Sequence, residues 1–179
     1  MILLLSGCAT GLPNLKINQT RYSSSEKSLV FGGGYFNPGR NVSYTLYFHD
    51  VATQRQYQVL VAYAALKKRT DFERRSFVIE LPPGDYQISR ISFLELTTWG
   101  MYTWGCDVNI SFSVPTHSVV YIGNFNYTYE QKHNYFFVKT GKGYLGITDD
   151  HENAIREFRE AYPKVRDDVK ISLMQLNNE

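Results

Sequence analysis

The chain has 179 residues and a formal net charge of +2, with 43% hydrophobic and 20% charged residues. This length suits one domain with a substantial core, and the hydrophobic content argues against a disordered chain. The near-neutral charge argues against a strongly basic nucleic-acid binder, so no nucleic-acid partner is expected. The sequence has no run of about 18 apolar residues, so no membrane-spanning helix is predicted. Aromatic residues make up 15% of the chain, and Tyr and Phe favour strands.

The first feature along the chain is a short apolar stretch that ends in Leu5-Ser6-Gly7-Cys8. It resembles the lipobox of bacterial lipoproteins, the four-residue signal at which lipoprotein signal peptidase cleaves before the cysteine. The resemblance implies that the Cys8 thiol carries a diacylglycerol thioether and that the new amine is acylated. Ala9, rather than Asp, follows the cysteine, and by the same resemblance this favours the outer membrane, with the protein facing the periplasm.

This interpretation divides the chain into three parts. Residues 1–7 are the remnant of a signal peptide, 8–27 are a mostly polar, lipid-anchored tether, and 28–179 form the folded domain. The apolar stretch is short for a signal, so we expect the natural signal to extend upstream. With lipid on Cys8, Cys106 is a free thiol. A disulfide between the two cysteines is the alternative in an oxidising compartment.

From residue 28 onward the sequence alternates apolar and polar residues, which is typical of half-buried strands. The clearest runs are 42–48, 57–63, 77–81 and 108–114. Gly32-Gly33-Gly34 predicts a flexible break after the first strand. After Ile88 the apolar phase shifts to Ile91, which predicts a β-bulge near Ser89 and Arg90.

A turn is predicted at Leu81-Pro82-Pro83-Gly84-Asp85-Tyr86. Pro83 presets φ for the second position of a turn, and Gly84 can supply the positive φ that the third position of a type II turn requires. Towards the C-terminus, apolar residues recur at helical spacing from Ile155 to Tyr162, before Pro163. One helix is therefore predicted at about 150–162.

These elements predict a mainly β protein, an antiparallel β-sandwich of about eight strands with one C-terminal helix. The segment from Phe77 to Tyr86 resembles the strand–turn–strand of prealbumin-like and carboxypeptidase-regulatory-like domains. Phe112 to Pro115 and Val119 to Gly123 resemble the matching strands of many bacterial lipoproteins. The resemblance covers about residues 28–140 and implies a strand framework rather than an active site.

The most distinctive segment is Trp99-Gly100-Met101-Tyr102-Thr103-Trp104-Gly105, predicted as a loop between two strands. If exposed, Trp99, Tyr102 and Trp104 form a binding surface whose rings stack on a sugar or grip a protein partner. If buried, the tryptophans close one end of the sandwich. The sequence leaves both alternatives open.

Candidate chemistry is sparse elsewhere. The four histidines are not at metal-binding spacings, and no nucleophile elbow or phosphate loop is present, so neither a metal, a cofactor nor an enzyme activity is predicted. The basic cluster from Lys67 to Arg75 is either a solvated loop or a contact for anionic lipid head groups. The predicted function is a lipid-anchored envelope protein whose non-catalytic sandwich binds another envelope component. The alternative is a carbohydrate- or peptidoglycan-binding module that uses the 99–104 loop.

Overall fold

A computed structural model describes residues 10–12, 26–37, 42–61, 76–97, 100–135 and 138–177 of the chain. Within these residues the fold is mainly β, with eleven strands and one helix, and both the class and the late helix are confirmed. The elements are β1 (Thr10–Leu12), β2 (Ser28–Asn37), β3 (Val42–Asp50), β4 (Gln56–Val61), β5 (Ser76–Leu81), β6 (Gly84–Thr97), β7 (Gly100–Val114), β8 (Val119–Tyr135), β9 (Val138–Thr148), α1 (His151–Ala161), β10 (Val169–Ile171) and β11 (Gln175–Leu176).

The strands form two sheets. Sheet A has the order β1-β4-β3-β6-β7-β11, and sheet B has the order β10-β8-β2-β5, with β9 also paired to β8. Three pairings are parallel, namely β1 with β4, β2 with β8, and β10 with β8. The predicted antiparallel arrangement and the count of about eight strands are therefore corrected. Strands as short as β1, β10 and β11 show no periodicity, and parallel partners are not joined by the tight turns that a sequence reveals.

The fold has two apolar cores, because successive side chains along the strands of sheet B point to opposite faces of that sheet. Between the sheets, Leu46 and Ile110 of sheet A belong to the same core as Ile122 of sheet B. On its other face, sheet B packs against α1, where Phe31 stacks on Phe158 with ring centroids 4.4 Å apart. The fold thus has three layers, sheet A, sheet B and α1. Of the described elements only α1 lies outside the sheets, so the outer face of sheet A carries no helix.

The predicted phase shift near Ser89 and Arg90 is confirmed as a β-bulge. Between Phe48 and Tyr47 of β3, the partner strand β6 advances two residues, from Ile88 to Arg90. Strand β7 holds one further residue opposite the same stretch of β6. Over the same stretch β3 advances one residue, β6 two and β7 three. The extra residues bend sheet A here, as is typical of β-bulges.

The three glycines at 32–34 do not break the chain, contrary to the prediction. They lie inside β2 and are buried. A Cβ atom at Gly34 would come within 2.6 Å of the Phe125 ring. The glycine is therefore needed because the Phe125 ring lies against the backbone of β2, and packing rather than flexibility explains this residue type.

The predicted turn at 81–86 connects the two sheets, since β5 belongs to sheet B and β6 to sheet A. Gly84 has a φ of +156°, so its positive φ is confirmed, but this differs from the roughly +80° of a type II turn. The hydroxyl of Tyr86, which is fully buried, donates to the Pro82 carbonyl at 2.7 Å. This is the geometry of a tyrosine corner, in which a buried Tyr bonds back to the backbone a few residues upstream. The sequence signal for it is the Tyr two residues after the glycine.

Removal of the Tyr86 hydroxyl should weaken this connection. Tyr86→Phe keeps the ring in the core but removes the donor to the Pro82 carbonyl, so we expect the free energy of unfolding to fall by about 1 kcal/mol. Tyr144→Phe is the matched control, because Tyr144 is 51% exposed, and should change stability by less than about 0.5 kcal/mol. Denaturant unfolding measures both variants, and equal stabilities would contradict the tyrosine corner.

Candidate functional site

The segment predicted as an aromatic loop is a β-strand instead. Residues 100–105 belong to β7, and Gly100 pairs with Thr97 at the end of the β6–β7 hairpin. Tyr, Thr and Trp favour strands, and this preference outweighs the two glycines that indicated a loop. Trp99 and the side chain of Tyr102 lie outside the described part of the structure. Of the three predicted binding residues, Trp104 alone has a described side chain.

Trp104 faces the space between the sheets and is partly buried against the core. Its ring stacks on Phe93, with centroids 5.5 Å apart and planes 22° apart, and Phe93 stacks on Tyr127 at 4.6 Å. Because Trp104 and Phe93 come from sheet A and Tyr127 from sheet B, this row of rings joins the two sheets. One face of Trp104 is thus occupied by Phe93, which matches the alternative in which the ring closes the core.

Cys106 lies two residues further along β7 and also packs against the core, as a partly buried free thiol. Burial raises the pKa of the Cys106 thiol, and the Asp107 carboxylate raises it further, while the Arg90 guanidinium lowers it. A thiol that stays protonated at neutral pH is a poor nucleophile. Cys106 is therefore suited to packing rather than to covalent chemistry.

The outer face of sheet A is polar along the part near the bulge. Gln87 Nε2 donates to Asn109 Oδ1 at 2.8 Å, across the β6–β7 pair. Arg90 Nη1 lies 2.8 Å from Asp107 Oδ1, and both side chains are more than half exposed. An exposed ion pair of this kind contributes little to stability because water screens both charges. These groups instead give the surface its polar character.

Nearer the hairpin end, the same face carries exposed apolar side chains. Met101 is 66% and Leu60 is 57% exposed, and Leu94 is partly buried. Leu60 and Leu94 flank β3, opposite Thr45 and Ser43 respectively. Leu94 also pairs with Thr103, two residues from Met101. We call Leu60, Leu94 and Met101 the outer apolar patch.

A shallow polar cleft lies between α1 and sheet B. Its lining includes Gly33, Gly34, Asn124, Asp150 and Glu157. The Asp150 carboxylate accepts a hydrogen bond from Asn153 Nδ2 at 2.7 Å. Among the residues that the structure describes, no group of three His, Cys, Asp or Glu side chains could hold a metal ion.

The predicted tether contains a strand. Thr10–Leu12 form β1, which pairs in parallel with β4 from Thr10 opposite Tyr57 to Leu12 opposite Val59. Leu12 packs against the core between the sheets. Cys8 and the basic cluster at 67–75 fall outside the described ranges. Residues 10–12 of the predicted tether thus belong to sheet A.

Within the described ranges, no helix has the length and apolar character needed to cross a bilayer. Comparison of the chain with protein-family models, with curated proteins and with solved structures finds no match. Since a fold by itself does not determine a function, the function has to be argued from the surfaces of this chain.

The position of Trp104 predicts a structural role that can be measured. Trp104→Ala removes the ring that stacks on Phe93, so we expect the free energy of unfolding to fall by about 2–3 kcal/mol, somewhat less than for a fully buried Trp. Met101→Ala, on the same strand but exposed, is the control and should cost less than about 0.5 kcal/mol. Thermal and denaturant unfolding compare the two. A Trp104→Ala protein as stable as the control would show that the ring does not support the core.

Proposed function

We propose that the chain is a lipid-anchored protein of the bacterial cell envelope, on the outer membrane facing the periplasm. In this proposal its β-sandwich binds another envelope component and catalyses no reaction. The observation that carries the proposal is the short interval between Cys8 of the lipobox and the first strand, since Thr10 already pairs with Tyr57. A domain joined this closely to its anchor is held at the membrane by folded structure, which suits a protein that presents a fixed surface.

Two buried hydroxyl groups stabilise connections between elements of the sandwich that would present the binding surface. Ser28 Oγ donates to the Pro115 carbonyl at 2.5 Å and so ties β2 to the turn before β8. The Tyr121 hydroxyl accepts a hydrogen bond from the Asp150 backbone N–H at 3.2 Å, just before α1. Burial raises the pKa of Tyr121 to about 12, so this hydroxyl stays neutral at physiological pH.

The outer apolar patch is the surface that we assign to the partner. Leu60 and Met101 are exposed apolar side chains on one face of sheet A, with the partly buried Leu94 on a strand between them. Protein interfaces typically have an apolar centre and a polar rim. Arg90 and Asp107 lie beside the patch and supply such a rim. Sheet B already packs against α1, so sheet A is the layer whose outer face can meet a partner.

Lipidation is tested first. The gene is expressed with its natural upstream region in a Gram-negative host, in the presence of an alkyne-tagged fatty acid. We expect label on the parent chain and on Cys106→Ser, the matched control. Cys8→Ser should carry no label and should leave the membrane fraction, because stable anchoring depends on the acyl chains. Label retained by Cys8→Ser would contradict the proposal.

Partner binding is tested in the same cells with a photo-crosslinking amino acid. Placed at Met101 in the outer apolar patch, it should give a discrete crosslinked product. Placed at Glu160, which is exposed on α1, it should give none. Leu60→Lys should reduce the Met101 product, because it introduces a charge into an apolar contact. Identical products from both positions would contradict the assigned surface, and a product shifted by a muramidase would identify peptidoglycan as the partner.

A further inference from the structure

We infer that the domain contacts the membrane through one particular end of the sandwich. At this end β3 turns into β4, β6 begins and β7 ends. We call this the base end and define it by residues 51–55, 82–83 and 115–118. The inference rests on the proposed lipidation of Cys8. It adds which surface meets the bilayer and which surface points away from it.

The direction of β1 carries the inference. Because β1 is parallel to β4 and Thr10 lies opposite Tyr57, near the start of β4, Thr10 is the residue of β1 nearest the base end. Only two Cα–Cα steps of about 3.8 Å separate Thr10 from Cys8, so the two Cα atoms lie within about 8 Å of each other. Acyl chains on Cys8 must enter the bilayer, and this span is too short to reach it from the opposite end of the sandwich.

Hydrogen bonds fix the conformation of the turn at the base end. In the turn after β3, the Thr53 backbone N–H donates to Asp50 Oδ1 at 2.8 Å. The Val51 N–H donates to the Asp85 carbonyl at 2.9 Å, which ties this turn to the start of β6. Val51 is 48% exposed, and the exposed Arg55 lies over the Tyr57 ring at 5.4 Å from its centroid. Lipid head groups would therefore contact the apolar side chain of Val51 and the guanidinium of Arg55, both on a turn that hydrogen bonds hold in place.

Charge does not select this orientation. The connection from α1 to β10 leads to Val169, opposite Val119 at the start of β8, and so reaches the same end. Its exposed residues Lys164 and Arg166 add positive charge, and the exposed Asp167 and Asp168 beside them add negative charge. Because attraction of basic groups to anionic lipid is offset by neighbouring acids, the covalent anchor sets the orientation. Anionic lipid should leave it unchanged.

The opposite end of the sandwich then points away from the membrane. Strand β6 runs 14 residues, from Gly84 at the base end to Thr97 at the hairpin. At about 3.3 Å per residue this corresponds to a height of about 40 Å. Met101 lies next to the hairpin and pairs with Leu96. The outer apolar patch is therefore raised above the head groups, where it can meet a partner that is not in the same leaflet.

Fluorescence quenching by the membrane tests this arrangement. In a Cys106→Ser background the acylated Cys8 has no free thiol, so one added cysteine can be labelled alone. The label is placed by Thr53→Cys at the base end or by Met101→Cys near the hairpin, with Ala52→Cys as a second base-end probe. The lipidated full chain is reconstituted in phosphatidylcholine vesicles that carry a nitroxide on the head group. We expect several-fold stronger quenching at the two base-end positions, with the same ratio after anionic phosphatidylglycerol is added.

Equal quenching at both ends, or stronger quenching at Met101→Cys, would overturn the orientation. A ratio that changes with anionic lipid would overturn the claim that the anchor sets it. The Cys8→Ser chain with the same labels should show no quenching at either end. The mass of the purified chain separates this inference from the proposed function. A chain without lipid that does not bind vesicles refutes both, whereas a lipidated chain with reversed quenching refutes the orientation alone.

Discussion

The burial of sheet B on both faces is the constraint on which the rest of the structure depends. In β2, Val30 faces the core between the sheets while Phe31 faces α1, and neither is exposed to solvent. Strand β8 shows the same division between Val120 and Tyr121. A strand buried on both faces requires a layer on each side of it, so sheet A and α1 are both needed. Parallel pairing is typical of such covered sheets, and β2 and β8 are indeed parallel.

This constraint also decides which surface is left for binding. Since α1 covers sheet B, the outer face of sheet A is the large strand surface that remains open among the described elements. The bulge at Ser89 bends that face between Gln87 and Arg90. Gln87 therefore lies on one side of the bend, whereas Arg90 lies on the other side, in the same regular stretch of β6 and β7 as the Leu96–Met101 pair.

The features that could be predicted from the sequence are those that depend on neighbours along the chain. The strand alternation, the phase shift at Ser89 and the helix up to Ala161 each appear within a few residues. The parallel partners of β2 and the three-residue β1 depend on contacts between distant parts of the chain, so periodicity could not find them. The packing role of Gly34 could not be predicted for the same reason, because its partner Phe125 is about 90 residues away.

In the candidate site, too, the features that depend on neighbours along the chain could be predicted, and those that depend on strand pairing could not. The residue types of the aromatic segment are distinctive in the sequence, but the direction of each side chain depends on which face of β7 meets the core. For Trp104 that direction is fixed by the pairing of β7 with β6. The roles of Cys8, Trp99 and Tyr102 stay predictions. The sequence does not indicate that Leu60 and Met101 are exposed on one face, because single apolar residues on a strand have no sequence signature of exposure. They share a face only because β4 and β7 belong to one sheet.

The pairing of β1 with β4 also bears on aggregation. Without β1, the outer edge of β4 would offer unpaired N–H and C=O groups, and such an edge can template strands from other molecules. A three-residue strand next to the proposed anchor covers part of this edge. Proteolytic clipping just after Leu12 would therefore do two things at once. It would separate the domain from the proposed anchor, and it would expose an unpaired strand edge that favours self-association of the released domain.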